Sequence, residues 1–173
     1  MQRVLTLVRH AKSSWDQVGL NDYDRALNDR GLKDAPEMGR RLTDADYEVD
    51  TIIASPAIRA ITTAEIIANE IGFSDQKIVQ DAKIYNANVD VLIDLVVSFN
   101  GNLNRVMLVG HNPGFTVLCN YLSNARVDNM PTCSIAQIQF DAESWDSIIE
   151  HSGELIDFDY PKKRYGKYNN NEF

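Results

Sequence analysis

Cysteine is scarce in this chain, with only Cys119 and Cys133 in 173 residues. Neither has CxxC spacing and no histidines cluster around them, so neither a disulfide framework nor a zinc site is expected. Cys119 falls in a helical apolar pattern and Cys133 in a turn before a strand, and both read as buried free thiols in a reducing compartment. Long apolar runs are missing too. None approaches the ~18 residues that a spanning helix needs, so no membrane partner is expected. Strand-like sequence starts with the first residues, so no signal peptide and a cytoplasmic location are expected. Positive charge is in deficit, with 17 Lys and Arg against 25 Asp and Glu and a net charge of −8. That balance argues against a nucleic-acid partner, although a local basic pocket in so acidic a protein would stand out electrostatically. There are no internal repeats, no splitting linker and no low-complexity tract beyond Asn169–Asn171. A single domain is expected over residues 1–160, with a loose tail over 161–173. No exposed apolar stripe is evident, and a monomer is expected.

What the chain does carry is a regular alternation of strand and helix patterns. Val4–Val8 reads as a strand buried on both faces. A long connection follows from Ala11 to about Asn28, rich in Asp, Asn and Gly, with Trp15, Tyr23 and Leu27 as expected anchors over the strand ends. Asn28 can cap a first turn, but Asp34-Ala35-Pro36-Glu37 is the stronger start signal for a helix to about Thr43, with Met38 and Leu42 facing the sheet. Thr51–Ala54 is the second strand. Ser55 then reads as N-cap and Pro56 as first residue of a helix that Gly72 ends, with Ile58, Ile61, Ala64, Ile67, Ala68 and Ile71 as its apolar stripe. A short strand is expected at Lys77–Val79 and a helix capped by Asn88. Arg105–Val109 is a strand, and a helix follows that starts at Pro113. Ser134–Phe140 and Gly153–Tyr160 complete the set, at least one of them antiparallel. This order implies the α/β class: a three-layer α/β/α sandwich with a mostly parallel central sheet.

In such a sheet the carboxyl ends of the strands lie along one edge, where ligands bind. Arg9 and His10 end the first strand, Ser55 and Arg59 follow the second, and His111 follows Arg105–Val109 next to a helix N-terminus. Three turns therefore converge two Arg and two His on one crevice. Guanidiniums clamp phosphate oxygens, and an unprotonated imidazole can attack phosphorus and divide the displacement into two steps. His151 lies in a polar loop and receives no role.

The stretches Leu7-Val8-Arg9-His10-Ala11, Ser55 to Ala64 and Val109-Gly110-His111-Asn112-Pro113-Gly114 resemble the three signature blocks of the histidine phosphatase superfamily, whose fold is called phosphoglycerate mutase-like. Arg9 to Trp15, Asp24-Arg25, Arg30-Gly31 and Asp34-Ala35 resemble its short SixA-type phosphohistidine phosphatase branch. The resemblance implies His10 as the nucleophile that carries the phosphoryl group, Arg9 and Arg59 as its clamp, and His111 as a donor to a phosphoryl oxygen. Ser13 and Asn112 are further candidates for substrate contact, and the roles of Lys12 and Arg25 are open. No metal and no cofactor are expected. The chain departs from the family in having Ala11 where Gly is common. It also has no acid in Lys83–Ala87, where larger relatives carry a Glu, and Asp81 nearby is a weak substitute. An imidazole leaves more easily than an alkoxide and needs a positioned acid less. The expected function is thus metal-independent hydrolysis of phosphohistidine in a protein or peptide. The alternatives are a small-molecule phosphomonoesterase of the same superfamily and a non-catalytic phospho-ligand binding module. The expected partners are a phosphorylated protein or small substrate and phosphate ion.

Overall fold

A computed structural model describes residues 1–163. Six strands form one sheet: β1 Gln2–Arg9, β2 Thr51–Ala54, β3 Val79–Gln80, β4 Arg105–Gly110, β5 Ile135–Asp141 and β6 Gly153–Asp159. Their spatial order is β3-β2-β4-β1-β5-β6. The first four in that order pair in parallel, and β5 and β6 join antiparallel, with a register irregularity between Gln137 and Ile138. The helices are α1 Asp29–Asp44, α2 Ile58–Ile71, α3 Val89–Val97 and α4 Gly114–Leu122. One apolar cluster joins α1 and α2 to one side of the sheet through Met38, Leu42, Ala64, Ile67, Ile52 and Met107. The other joins α3 and α4 to it through Leu92, Val96, Phe115, Leu118, Leu5 and Leu7. This is the three-layer α/β/α sandwich expected from the alternation.

Several local expectations give way to tertiary structure. The first helix starts at Asp29, not Asp34. Asn28 caps it by accepting from the Gly31 amide at 2.9 Å, and Pro36 lies inside it. The Asn28 cap wins because the chain must turn there, its own amide donating to the Lys12 carbonyl at 3.0 Å. A side chain at residue 31 would put its Cβ 2.2 Å from that carbonyl, so only glycine permits the approach. Ser55 is not an N-cap. Helix α2 begins at Ile58 after Ala57, and Ile58 stands exposed while Arg59 takes the buried position. Gly72 does end α2, at φ 75°. Lys77 belongs to a 3-10 turn, and the short strand is Val79–Gln80. Of the loop anchors only Leu27 is buried; Trp15 is 73% exposed and Tyr23 is also exposed. At the start of the expected tail Pro161 is buried, and its carbonyl accepts from Arg41 at 2.9 Å. The expectation for 164–173 lies outside the described residues.

Strand register brings the distant turns together. Arg9 pairs with Gly110, and Ala54 with Val109. The next amide of each outer strand continues the ladder: His10 N–H donates to the Gly110 carbonyl at 2.9 Å, and Ser55 N–H to that of Val109 at 2.9 Å. Because β4 runs between β1 and β2, His10, Ser55 and His111 are neighbours across the end of the sheet.

Candidate active site

A hollow of about 450 Å³ opens at this edge, lined among others by Arg9, His10, Lys12, Ser13, Asp22, Arg25, Arg59, Tyr85 and His111. His10 is 8% exposed. Its Nδ1 lies 2.7 Å from the Ala11 carbonyl, an acceptor only, so Nδ1 carries the proton and Nε2 keeps its lone pair. Arg59 Nε–H points at that Nε2 from 3.4 Å. Burial above all pushes the His10 pKa down to about 3, with His111, Arg59 and Arg9 adding repulsion against the bond to Ala11. The ring is an unprotonated imidazole at neutral pH.

His111 faces it, with ring centroids 5.2 Å apart. Burial, then Arg59, lowers its pKa to about 4. His111 Nε2 lies 2.7 Å from Ser55 Oγ. That oxygen accepts from the Ala57 amide at 3.3 Å and still has its proton to give to Nε2, and in the tautomer that takes it the ring proton sits on Nδ1. His111 Nδ1 is buried and has no partner among the described residues.

Three guanidiniums surround the pair. Arg59 is buried on α2 and held by the carbonyl of Asp22 at 2.6 Å and its carboxylate at 3.0 Å. The outer edge of the fork is thereby occupied, and the Nε edge turns towards His10. Arg25, also buried, donates to Ser13 Oγ at 2.6 Å and to Asp22 Oδ1 at 3.0 and 3.1 Å, with Trp15 stacked 3.5 Å from its central carbon. Arg9 donates to the Met130 carbonyl at 2.7 Å, while its Nε is buried with no partner among the described residues. With Lys12, four cations line the hollow against one carboxylate, in a chain of net charge −8. That inversion concentrates anions here. A tetrahedral oxyanion suits it in size and charge.

All six candidate residues thus line one hollow, but Asn112 is set apart by its bonds. Its amide NH₂ donates to Asn129 and to the Met130 carbonyl, each at 3.0 Å, and its oxygen accepts from the amide and hydroxyl of Thr116. An amide with two donors and two acceptor sites filled has nothing left for a substrate. Asn112 instead fixes the same carbonyl that holds Arg9. Ser13 accepts from Arg25 and keeps its own proton to donate.

The sequence reading missed Asp22, Tyr85 and the bond from Ser55 to His111. Asp22 Oδ2 accepts from Tyr85 at 2.7 Å as well as from Arg59. Burial would raise its pKa, but the bonds from Tyr85, Arg25 and Arg59 outweigh that and hold it down to about 2. Its only sequence signal is its place in an Asp-rich loop too long to be idle. Among the described residues no group of three or more His, Cys, Asp or Glu is placed to hold a metal ion, and no helix is long and apolar enough to cross a membrane.

A family model described as the histidine phosphatase superfamily (branch 1) matches residues 5–92. Among solved structures the chain is similar to a candidate phosphohistidine phosphatase, SixA, from Agrobacterium tumefaciens. The TM-score is 0.78 at 28% identity, over 92% of this chain and 98% of that one. Its fold is also that of a phosphoglycerate mutase from Bacillus anthracis, with a TM-score of 0.61 at 16% identity, over 88% of this chain and 93% of that one. Among curated sequences an uncharacterised chloroplastic protein of Arabidopsis thaliana is 27% identical over 161 residues, 88% of this chain and 73% of the relative.

Proposed function

Since this chain belongs to the histidine phosphatase superfamily, we propose that it is a phosphatase that removes the phosphoryl group from phosphohistidine in proteins, through a covalent intermediate on His10. The observation that carries the reading is the unprotonated Nε2 of His10, held open by the bond of Nδ1 to Ala11 inside a ring of guanidiniums. In the first step Nε2 forms a bond to phosphorus as the bond to the leaving imidazole nitrogen breaks. The phosphoryl oxygens take the places that the Arg9 and Arg59 donors face, and His111 Nδ1–H donates to one of them. In the second step water attacks phosphorus, the bond to Nε2 breaks, phosphate leaves and His10 is restored. Positioning and charge neutralisation of this kind account for most of phosphoryl-transfer catalysis.

The leaving group follows from what the hollow offers as an acid. Among the described residues that line it, Asp22 is the one carboxyl, and it stays ionised down to about pH 2. It cannot hand a proton to an alkoxide. An imidazole takes its proton from solvent, which favours phosphohistidine over sugar phosphates. The test uses a protein labelled with ³²P on histidine, quenched in alkali. Alkali-stable, acid-labile label is expected on the wild type and absent from His10→Ala. Faster hydrolysis of a sugar phosphate than of phosphohistidine protein overturns the substrate assignment, and absence of trapped label with full turnover overturns the intermediate.

A further inference from the structure

The rim of the hollow has a feature that phosphate chemistry does not use. Four of the eleven exposed large apolar side chains among the described residues fall within residues 15–23. They are Trp15 at 73%, Val18 with no cover at all, Leu20 and Tyr23. Gly19, between Val18 and Leu20, takes φ 84° with open space around it. Burying apolar groups is favourable, and this loop has a long sequence in which to do so. It is nonetheless tied down from inside by polar bonds, the Asp22 carbonyl and carboxylate to Arg59 and the Ser14 amide to the Ala26 carbonyl, which leave the apolar side chains outside. Trp15 lines the hollow itself, so the apolar rim is continuous with the site. A cleft of about 300 Å³ in the same loop is lined by Leu20 and Leu27, by the carboxylates of Asp16 and Asp29, and by Arg25.

Building on the phosphatase reading, we infer that the loop Trp15–Tyr23 is the docking surface for a folded phosphoprotein. Its partner face is apolar and bordered by Lys or Arg around the phosphorylated residue. The charge of the loop selects this occupant. Residues 15–24 hold no Lys or Arg; Asp22 is paired with Arg25 and Arg59, but Asp16 and Asp24 are exposed. An anionic lipid surface is repelled by that pattern, whereas a basic-bordered protein surface complements it. In this cleft Arg25 is already bonded to Asp22, and the Asp16 and Asp29 carboxylates are left to take one basic side chain of the partner, its stem on Leu20. A free phosphoamino acid in the hollow meets Trp15 at its edge but reaches neither Val18, Leu20 nor the cleft.

The experiment compares two substrates of one enzyme: a small folded protein phosphorylated on surface histidines with phosphoramidate, and free phosphohistidine. Val18→Asp, Leu20→Asp and the milder Val18→Ser are the variants, none of them at a position that lines the hollow. The two Asp substitutions are expected to lower kcat/KM on the phosphoprotein at least tenfold and on free phosphohistidine less than twofold, with Val18→Ser in between. Equal losses on both substrates, or none on either, overturn the docking surface. So does flotation of the wild type with phosphatidylserine vesicles that Val18→Asp abolishes, which assigns the loop to membrane instead. If the wild type hydrolyses phosphohistidine in neither form, the substrate reading fails. The docking ratio is then read with a phosphotyrosine protein against free phosphotyrosine.

Discussion

Asp22 holds Arg59 from two sides at once, its carbonyl on one η-nitrogen at 2.6 Å and its carboxylate on the other at 3.0 Å. A residue 37 positions away in the sequence thus sets the orientation of the guanidinium, and with it the direction of the Nε–H that faces His10. Replacing Asp22 with Asn removes a negative charge from the hollow and loosens that orientation. The two effects act on different constants. Inorganic phosphate is expected to inhibit Asp22→Asn at lower concentration than the wild type, because the hollow becomes more positive. The kcat is expected to fall roughly 10–100-fold, as misplacement of a positioning group does. Steady-state kinetics with phosphate as competitive inhibitor separates the two, and a parallel change in both constants contradicts this account.

Ser55 acts on His111 as well as on the start of helix α2. The Ser55→Ala variant leaves His111 Nε2 without its partner at 2.7 Å and frees the ring proton to move to it. We expect kcat to drop about tenfold or more, since a hydrogen bond to a buried group contributes on the order of 1–3 kcal/mol. The melting temperature should also fall by a few degrees, because Ser55 is buried and its oxygen accepts from the Ala57 amide as well, so kcat is measured well below the transition. Cysteine at position 55, a weaker donor, should fall between. A loss of stability without loss of kcat would return Ser55 to a structural role.

The buried imidazoles also make the fold sensitive to acid. The folded pKa values lie at about 3 for His10 and about 4 for His111, against 6.5 when exposed. Below pH 6.5 the unfolded chain therefore binds protons that the folded chain refuses. The stabilising contribution is full above pH 6.5 and is lost as pH falls towards 4 and then 3, at about 1.4 kcal/mol per pH unit and group. Asp22, held down to about 2, adds its own loss at the lower end. Urea titrations at pH 7, 5.5 and 4.5 should show a steeper decline for the wild type than for His10→Asn, whose amide can still donate to the Ala11 carbonyl without titrating.

Gly31 controls the Lys12–Ser13 wall of the hollow from the first turn of α1. A methyl group there meets the Lys12 carbonyl at 2.2 Å, so either α1 or the wall must shift. The Gly31→Ala variant is expected to lose about 1–3 kcal/mol of stability, as other overpacked positions do. It should also lose phosphatase activity beyond what its thermal stability explains. The check is a thermal melt beside kcat/KM measured well below the transition.

Much of this architecture was readable from local pattern. β2 falls on Thr51–Ala54 as its run of apolar residues indicates, and Met38, Leu42, Leu92 and Val96 are buried as their helical spacing implies. The convergence of His10, Arg59 and His111 followed from strand–helix alternation alone. What escaped depended on contacts between segments. The strong Asp34–Glu37 start signal lost to Asn28 because the Lys12 carbonyl fixes the chain there. Trp15 looked like an anchor because aromatics usually bury, yet it stacks on Arg25 at the surface. Asp22 and Tyr85 meet across 63 residues, and no local motif announces such a pair. Asn112 lines the hollow as expected, but its four hydrogen bonds to Asn129, Met130 and Thr116 form only once α4 packs against the turn before β5.

Strand β1 lies inside the sheet, with β4 on one side and β5 on the other. Its backbone amides should be among the last in the molecule to exchange with deuterium, opening only with global unfolding. Residues 15–23 should exchange within seconds. Nucleophile and recognition loop therefore sit at opposite extremes of local stability although they share a rim. A chain built this way can have its partner preference rewritten by grafting residues 16–21, with Asp22 kept in place for Arg59, while the chemistry stays anchored in the part of the molecule that yields last.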